Sequence, residues 1–434
     1  MSRRSTGHLE FAPVAGAEAR QLASAGSENM TTIFISRQPI YDRSGKMSGY
    51  QLLYDRDALT RALSAMDQKA GSEFFLNTVL KWGMEPLGNG TPAFIGITRT
   101  VLLQNYCTSL PKDRVVLEIP RDVEPDDAVI RFLTELRKAG YNIAFDDFDF
   151  TTETRRVLDV ANYVKICFNR LRRAEITEQL SFLKQSKVKA IVTGIETHEA
   201  LEIAKSLDFE YFAGPCFTKP KGKTSAEIAT NRLTTMQLIM KLHDPELEMA
   251  ELEAIVKQDL AISFKLMRYV NSALLSVGSI KTAIQQVGTD RLRSWASVLF
   301  LSKLDEKPTQ LIVTALVRAK MAESLAQAMG EKHTDTYYMV GLFSLVDALL
   351  NVPMPEATQL LPFSGDVREA LISLGGRCGA VLKCVLSYES GNWSDVSCGD
   401  LDTAAIRHSY MVSIAAAHQM QTRPSGAGLH PGGQ

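Results

Sequence analysis

Two adjacent aspartates, Asp146 and Asp147, close the short apolar run IAFDDFDF at 143–150. Carboxylate oxygens are the ligands that hard divalent cations take, and a pair of such cations can activate water and neutralise phosphate in phosphoester hydrolysis. The same two residues are also what a disused site would leave behind. Glu118, Lys165 and Glu196 close three further apolar runs in this half of the chain. In a parallel α/β barrel the C-terminal ends of the strands line one reactive rim, so these groups would meet there.

The elements that must position them are legible. VVLEI (Val115–Ile119), IAF (143–145), YVKI (163–166) and KAIVTGI (189–195) are continuous apolar runs, the pattern of strands covered on both faces. Between the first two lies a helix, PDDAVIRFLTELRKAG. Pro125, Asp126 and Asp127 suit its first turn, Val129, Phe132, Leu133 and Leu136 make one apolar stripe, and Gly140 can cap its end. Strand starts recur every 20–28 residues or so, about one βα unit. The rhythm predicts a parallel α/β fold, either barrel or doubly wound sheet. After about residue 225 it becomes helical throughout. Leu292, Trp295, Ala296, Leu299 and Phe300 fall on one helical face, a core stripe before a partner surface. KPKGKTS at 219–225 reads as the linker.

Composition narrows the function. A chain of 434 residues with 45% hydrophobic residues fills two or three domains. A formal net charge of −1 supplies no field for DNA or RNA, so no nucleic-acid partner is expected. No uninterrupted apolar stretch reaches about 18 residues, so no membrane span is expected. Cys107, Cys167, Cys216, Cys378, Cys384 and Cys398 are scattered without a CxxC, which reads as reduced thiols in a cytoplasmic protein. Residues 1–31 and 423–434 read as loose tails rich in small and polar residues.

FISRQPIYDRSGKMSGYQLLYD (34–55), VVLEIPRDVEPDD, AGYNIAFDDFDF, ANYVKI and VTGIETHEALEIAKSLDFEYFAGPCFTKP follow one another as in the EAL domain. The chain from 32 to 223 resembles that family in a divergent, shortened form. The resemblance implies a (β/α) TIM-like barrel with some elements trimmed, and in active members metal-dependent hydrolysis of cyclic di-GMP. Carried over position by position, Glu118, Asp146, Asp147, Lys165 and Glu196 match site residues of the family. Others are lost. The name-giving glutamate falls at Gln51 and the phosphate-contacting arginine at Asp55, with Arg56 one position late. The metal-binding asparagine falls at Gly96, a glutamate at Arg121, an aspartate at Cys167, a glutamate at Thr193 and a glutamine at Ala213. A neutral amide, a glycine and a threonine are poor substitutes for anionic oxygens. Asp146 and Asp147 are therefore expected to be a remnant, supported sterically or by pairing with Lys165, with no metal and no cofactor bound.

The helical part, 224–422, resembles the HDOD domain, strongest in YVNSA and SIKTAIQQVGTDRLRSW. Enzymes related to that family carry a His–Asp pair, whose positions here hold Ser344 and Leu345. His243, His333, His408 and His418 offer no ligand spacing, Cys378 and Cys384 lie too far apart for one helical face, and Arg291, Arg293 and Asn271 read as ordinary surface or capping residues. With both sites incomplete, the expectation is a non-catalytic scaffold linked to cyclic di-GMP signalling, motility and biofilm control. It would act through regulatory protein partners on a composite surface of two packed domains. A nucleotide receptor at the barrel mouth and a residual cyclic di-GMP phosphodiesterase are the alternatives.

Overall fold

The computed structural model describes residues 33–79, 91–150, 156–170, 176–220, 230–244, 246–258, 288–301 and 309–422. Both expected tails, most of the 219–225 linker and Asn271 lie outside these residues, as do the side chains of Arg291, Trp295, Leu299 and His418.

Eight strands close a barrel in chain order. They are β1 (Ile35–Asp42), β2 (Met47–Tyr54), β3 (Ala93–Gly96), β4 (Val115–Ile119), β5 (Asn142–Phe145), β6 (Tyr163–Cys167), β7 (Lys189–Thr193) and β8 (Tyr211–Phe212). No strand has been trimmed away, contrary to the shortened barrel expected from the sequence. The economy lies in length, β8 being two residues long. The barrel is also not wholly parallel: β1 runs antiparallel to both β2 and β8. The tight turn joining β1 and β2 forces this. Asp42 accepts Ser44 N at 2.9 Å and Lys46 N at 3.0 Å, and Gly45 takes the left-handed φ of 80° that the turn requires.

Helices α1 (Arg56–Ser64), α2 (Gln68–Val79), α3 (Arg99–Leu103), α4 (Asp127–Lys138), α5 (Ile176–Gln185) and α6 (His198–Ser206) surround the sheet. The helix expected between β4 and β5 is α4. Asp126 caps it by accepting Val129 N at 2.9 Å, Pro125 standing just outside. Val129, Leu133 and Leu136 are buried against the sheet while Phe132 is half-buried. At about 1.5–3 kcal/mol for each fully buried aliphatic side chain, this stripe fixes the face α4 presents.

No strand occurs beyond β8 among the described residues. The helical part contains α7 (Thr230–Leu242), α8 (Met249–Gln258), α9 (Thr289–Leu301), α10 (Thr309–Ala328), α11 (Thr334–Phe343), α12 (Val346–Leu350), α13 (Met354–Leu360), α14 (Gly365–Ser373), α15 (Gly376–Ser390) and α16 (Thr403–Thr422). Helices α10 and α11 approach so closely at Gly341 that a Cβ there would meet the Arg318 carbonyl oxygen at 2.5 Å. The segment Gly365–Ser390, whose most apolar 18-residue stretch has a mean hydropathy of 1.4, has the length and composition to cross a bilayer. It breaks at Leu374, which has φ 56° and ends α14, and both pieces contribute to the helical cores. All six cysteines are free thiols.

The barrel and the helical part are in contact, as the short linker implies. The amide of Ile35 donates to Tyr388 Oη at 3.3 Å, and Ser36 Oγ donates to the Glu389 carbonyl at 3.2 Å. Phe34 meets Tyr388 edge-on at 5.3 Å and stacks on Trp393 at 5.6 Å. Strand β1 is thereby shared between its own barrel and α15.

Candidate active site at the barrel rim

Strand parity collects the site. Side chains alternate faces along a strand, and Val115, Leu117 and Ile119 of β4 join the layer between sheet and helices. Val116 and Glu118 therefore point inward, Val116 into a small apolar cluster with Ile40, Phe94, Ala144, Ile191 and Ala213. One step of two residues from that layer reaches Gly96 from Phe94, Glu118 from Val116, Asp146 from Ala144 and Thr193 from Ile191. The same parity carries Lys165 and Cys167 on β6. Alternation thus aims these six positions into one end of the barrel.

The inner carboxylate is Glu118. It is 2% exposed and Lys165 is 0% exposed. Gln51 Nε2 donates to Glu118 Oε1 at 2.8 Å and Lys165 Nζ donates to Oε2. Burial pushes the Glu118 carboxyl above the usual range, opposed by the Lys165 ammonium; the direct ion pair makes the charged form the one the geometry serves. Lys165 also lies 5.3 Å from the centre of the Phe94 ring.

The two aspartates diverge. Asp146 is half-buried and accepts the amide of Asp147 on Oδ1 at 3.0 Å. No ion pair to it occurs among the described residues. Asp147 has left-handed backbone, φ 52°, a conformation aspartate tolerates better than most residues. Its Oδ2 receives Arg121 Nη1 at 3.1 Å and also Arg170 Nη1. The expected pairing of Lys165 with the aspartates is thus corrected. Lys165 is too deep in the barrel and belongs to Glu118, while arginines from the neighbouring loops hold Asp147.

The other expected positions separate. Asp55 caps α1, accepting Ala58 N at 2.8 Å. Arg56 pairs with Asp122 at 2.9 Å. Tyr54 Oη donates to the Gly96 carbonyl, and a Cβ on Gly96 would find only ordinary contacts, Arg56 Cδ at 3.8 Å being nearest. Cys167 and Thr193 are partly buried and Ala213 is buried. Glu196 lies beyond the end of β7 on the exposed surface, apart from the other carboxylates' ion pairs. Arg170 was missed from sequence. It lies three residues beyond the end of β6, at the close of the short turn Phe168–Arg170, where strand alternation gives no signal.

A two-cation centre fits these residues poorly. Both oxygens of Glu118 are engaged by nitrogen donors and one oxygen of Asp147 is shared by two arginines. Gln51 is neutral, and Gly96 has no side chain. No group of three or more His, Cys, Asp or Glu is placed to hold a metal among the described residues. In the helical part, Ser344 ends α11. Its hydroxyl donates to the Gly341 carbonyl at 2.7 Å and accepts Arg318 Nη1 at 3.1 Å. Arg318 also grips Glu389 through Nε at 2.6 Å and Nη2 at 2.8 Å, and Leu345 is buried. An arginine–glutamate bridge thus stands beside Ser344, one of the two positions expected from the sequence to have lost a His–Asp pair.

An EAL domain model matches residues 96–220 and an HDOD domain model matches 230–360. The chain is 27% identical over 380 residues to the cyclic di-GMP phosphodiesterase CdgJ of Vibrio cholerae, covering 85% of this chain and 88% of that protein. It is 26% identical over 407 residues to the uncharacterized protein YuxH of Bacillus subtilis, covering 89% and 98%. Among solved structures, an EAL domain protein from Listeria monocytogenes is 17% identical, covering 43% of this chain and 87% of that one with a TM-score of 0.35. A standalone EAL protein from Vibrio cholerae in a c-di-GMP-bound form is 15% identical, covering 43% and 91% with a TM-score of 0.34. The order of the two matched domains and the bacterial relatives across both identify the chain as a bacterial EAL–HDOD protein, an EAL domain followed by an HDOD domain.

Proposed function

We propose that the chain is a cyclic di-GMP phosphodiesterase of low turnover, working at the rim of the barrel. The observation that carries this reading is the match to CdgJ, which is named for that activity and aligns with 85% of this chain. It replaces the expectation of a non-catalytic scaffold, which rested on counting lost ligands. A relative with the named activity that aligns across nearly the whole chain outweighs that count.

In this reading the residues take unequal parts. Asp146 has no ion-pair partner among the described residues and is the carboxylate available to take a proton from water or to accept a cation. Glu118 and Lys165 form the buried support beneath it. Asp147 is occupied by arginines at the mouth. The poor fit to two cations is why the expected turnover is low. We further propose that the barrel extends over 32–223 and the helical domain over 224–422, with tails at 1–31 and 423–434.

The test is chromatography of products from cyclic di-GMP incubated with the purified full chain and Mg²⁺ or Mn²⁺. Linear dinucleotide formed by the wild type and lost in Asp146→Asn supports the reading. Intact substrate after prolonged incubation overturns it.

A further inference from the structure

Cyclic di-GMP carries two phosphodiester groups, each with one negative charge, and the inference here rests on the phosphodiesterase reading. A site with few means of holding cations must meet that charge with its own side chains. Lys165 cannot do so from the rim, because it is buried on Glu118. Arg56 is drawn to Asp122.

Arg121 and Arg170 are differently placed. They come from the loops after β4 and β6, on either side of β5, and both reach Oδ2 of Asp147. Each side chain is 56% exposed, while that of Asp147 is 25% exposed. Arg121 Nη2 also lies 3.7 Å from Asp149 Oδ2. Exposed ion pairs add little to stability, and bringing two guanidiniums to one oxygen works against their mutual repulsion. The cluster is thus poorly explained as a stabilising device. Each guanidinium has five N–H donors in a planar fork, more than the contacts to Asp147 and Asp149 use. Forked donors side by side are the geometry that recognises a phosphate oxygen pair.

We propose that Arg121 and Arg170 form a clamp for one phosphodiester group of the dinucleotide, with Asp147 as the positioning residue that holds the two forks together. The backbone at Asp147 is left-handed, and its carboxylate meets both arginines. This puts phosphate recognition on the loops after β4 and β6, and leaves Asp55, an acidic helix cap, outside it.

The test is calorimetric titration of the full chain with cyclic di-GMP, beside initial-rate kinetics, for the wild type, Arg121→Ala, Arg170→Ala and Arg121→Lys. Thermal melting confirms that each variant is folded. Kd and KM are expected to rise about tenfold or more in each alanine variant, the effect of losing one charge-assisted contact, while kcat changes much less. Arg121→Lys should recover part of the affinity. Kd and KM within about twofold of a wild type that binds and turns over would overturn the clamp and leave the phosphodiesterase reading standing. A wild type that neither binds nor hydrolyses cyclic di-GMP overturns the reading itself, and the clamp with it.

Discussion

Lys165 and Glu118, from strands separated in the barrel by β5, meet as an ion pair with almost no exposure to solvent. Desolvating two charges is costly, and the attraction between them offsets that cost only while both are present. Removing the lysine alone leaves Glu118 with a single amide partner, Gln51. Lys165→Met is therefore expected to destabilise the chain by about 3–5 kcal/mol in urea unfolding. Adding Glu118→Gln to that variant should restore much of the loss. Equal losses from the single and double variants would show that the pair is not coupled.

Gln51 and Gly96 can be altered to return oxygen donors to the rim. Gln51→Glu replaces an amide that donates to Glu118 by a second anion, so the apo chain should lose about 1–3 kcal/mol. Gly96→Asn should fold normally, because a Cβ there meets nothing closer than 3.8 Å. Together they are expected to raise Mn²⁺-dependent turnover of cyclic di-GMP by about tenfold, roughly 1.4 kcal/mol of barrier. Unchanged rates in a folded double variant would mean that these positions do not limit the reaction.

His243 makes the helical domain sensitive to acid. Its ring hydrogen-bonds Ser297 Oγ at 2.9 Å and stacks on Tyr338 at 4.6 Å. Burial first, then the nearby Arg293 and Lys320, lowers its value to about 3. Between this and the ordinary value of about 6.5 the unfolded chain binds the extra proton and the folded chain does not. Stability therefore rises with pH across that window and is level above it. Going from pH 7 to pH 5 should cost about 2 kcal/mol through this residue, at about 1.4 kcal/mol per pH unit. Denaturant melts at both pH values should show the loss in the wild type and a smaller one in His243→Gln. The same loss in both would place the acid sensitivity elsewhere.

The barrel and the helical domain should unfold together. Phe34 packs against both Tyr388 and Trp393, which also touch each other, and the amide of Ile35 bonds Tyr388 Oη. Phe34→Ala removes the aromatic contact at the start of β1 and should cost about 1–3 kcal/mol. Tryptophan fluorescence and far-ultraviolet circular dichroism should report one coincident transition in the wild type. Separate transitions in the wild type would show that the contact does not couple the domains.

How much of this was legible followed physical rules. Strands β4 to β7 are continuous apolar runs, and their positions are visible within a few residues. β1 reads ISRQPIYD, with polar residues throughout, and its antiparallel direction depends on the Asp42 turn, so only the family motif marked it. β8 is too short for any pattern to show. Inward parity made the strand-end carboxylates predictable as a group, but not their partners. Lys165 and Asp147 are both near strand ends, yet one sits a layer below the other, and depth in a barrel leaves no trace in sequence spacing. Arg318 and Glu389 are 71 residues apart with no local signal linking them. The expectation of inactivity is overturned by the match to CdgJ, because a count of absent ligands does not by itself fix activity.

The central claim is hydrolysis of cyclic di-GMP at this rim. The most direct measurement is the initial rate of linear dinucleotide formation by the purified full chain with Mn²⁺, compared with Asp146→Asn prepared identically. The account predicts a low rate above the protein-free blank, abolished in the variant while its melting curve stays cooperative. A rate no greater than the blank, or one that persists unchanged in Asp146→Asn, would contradict it.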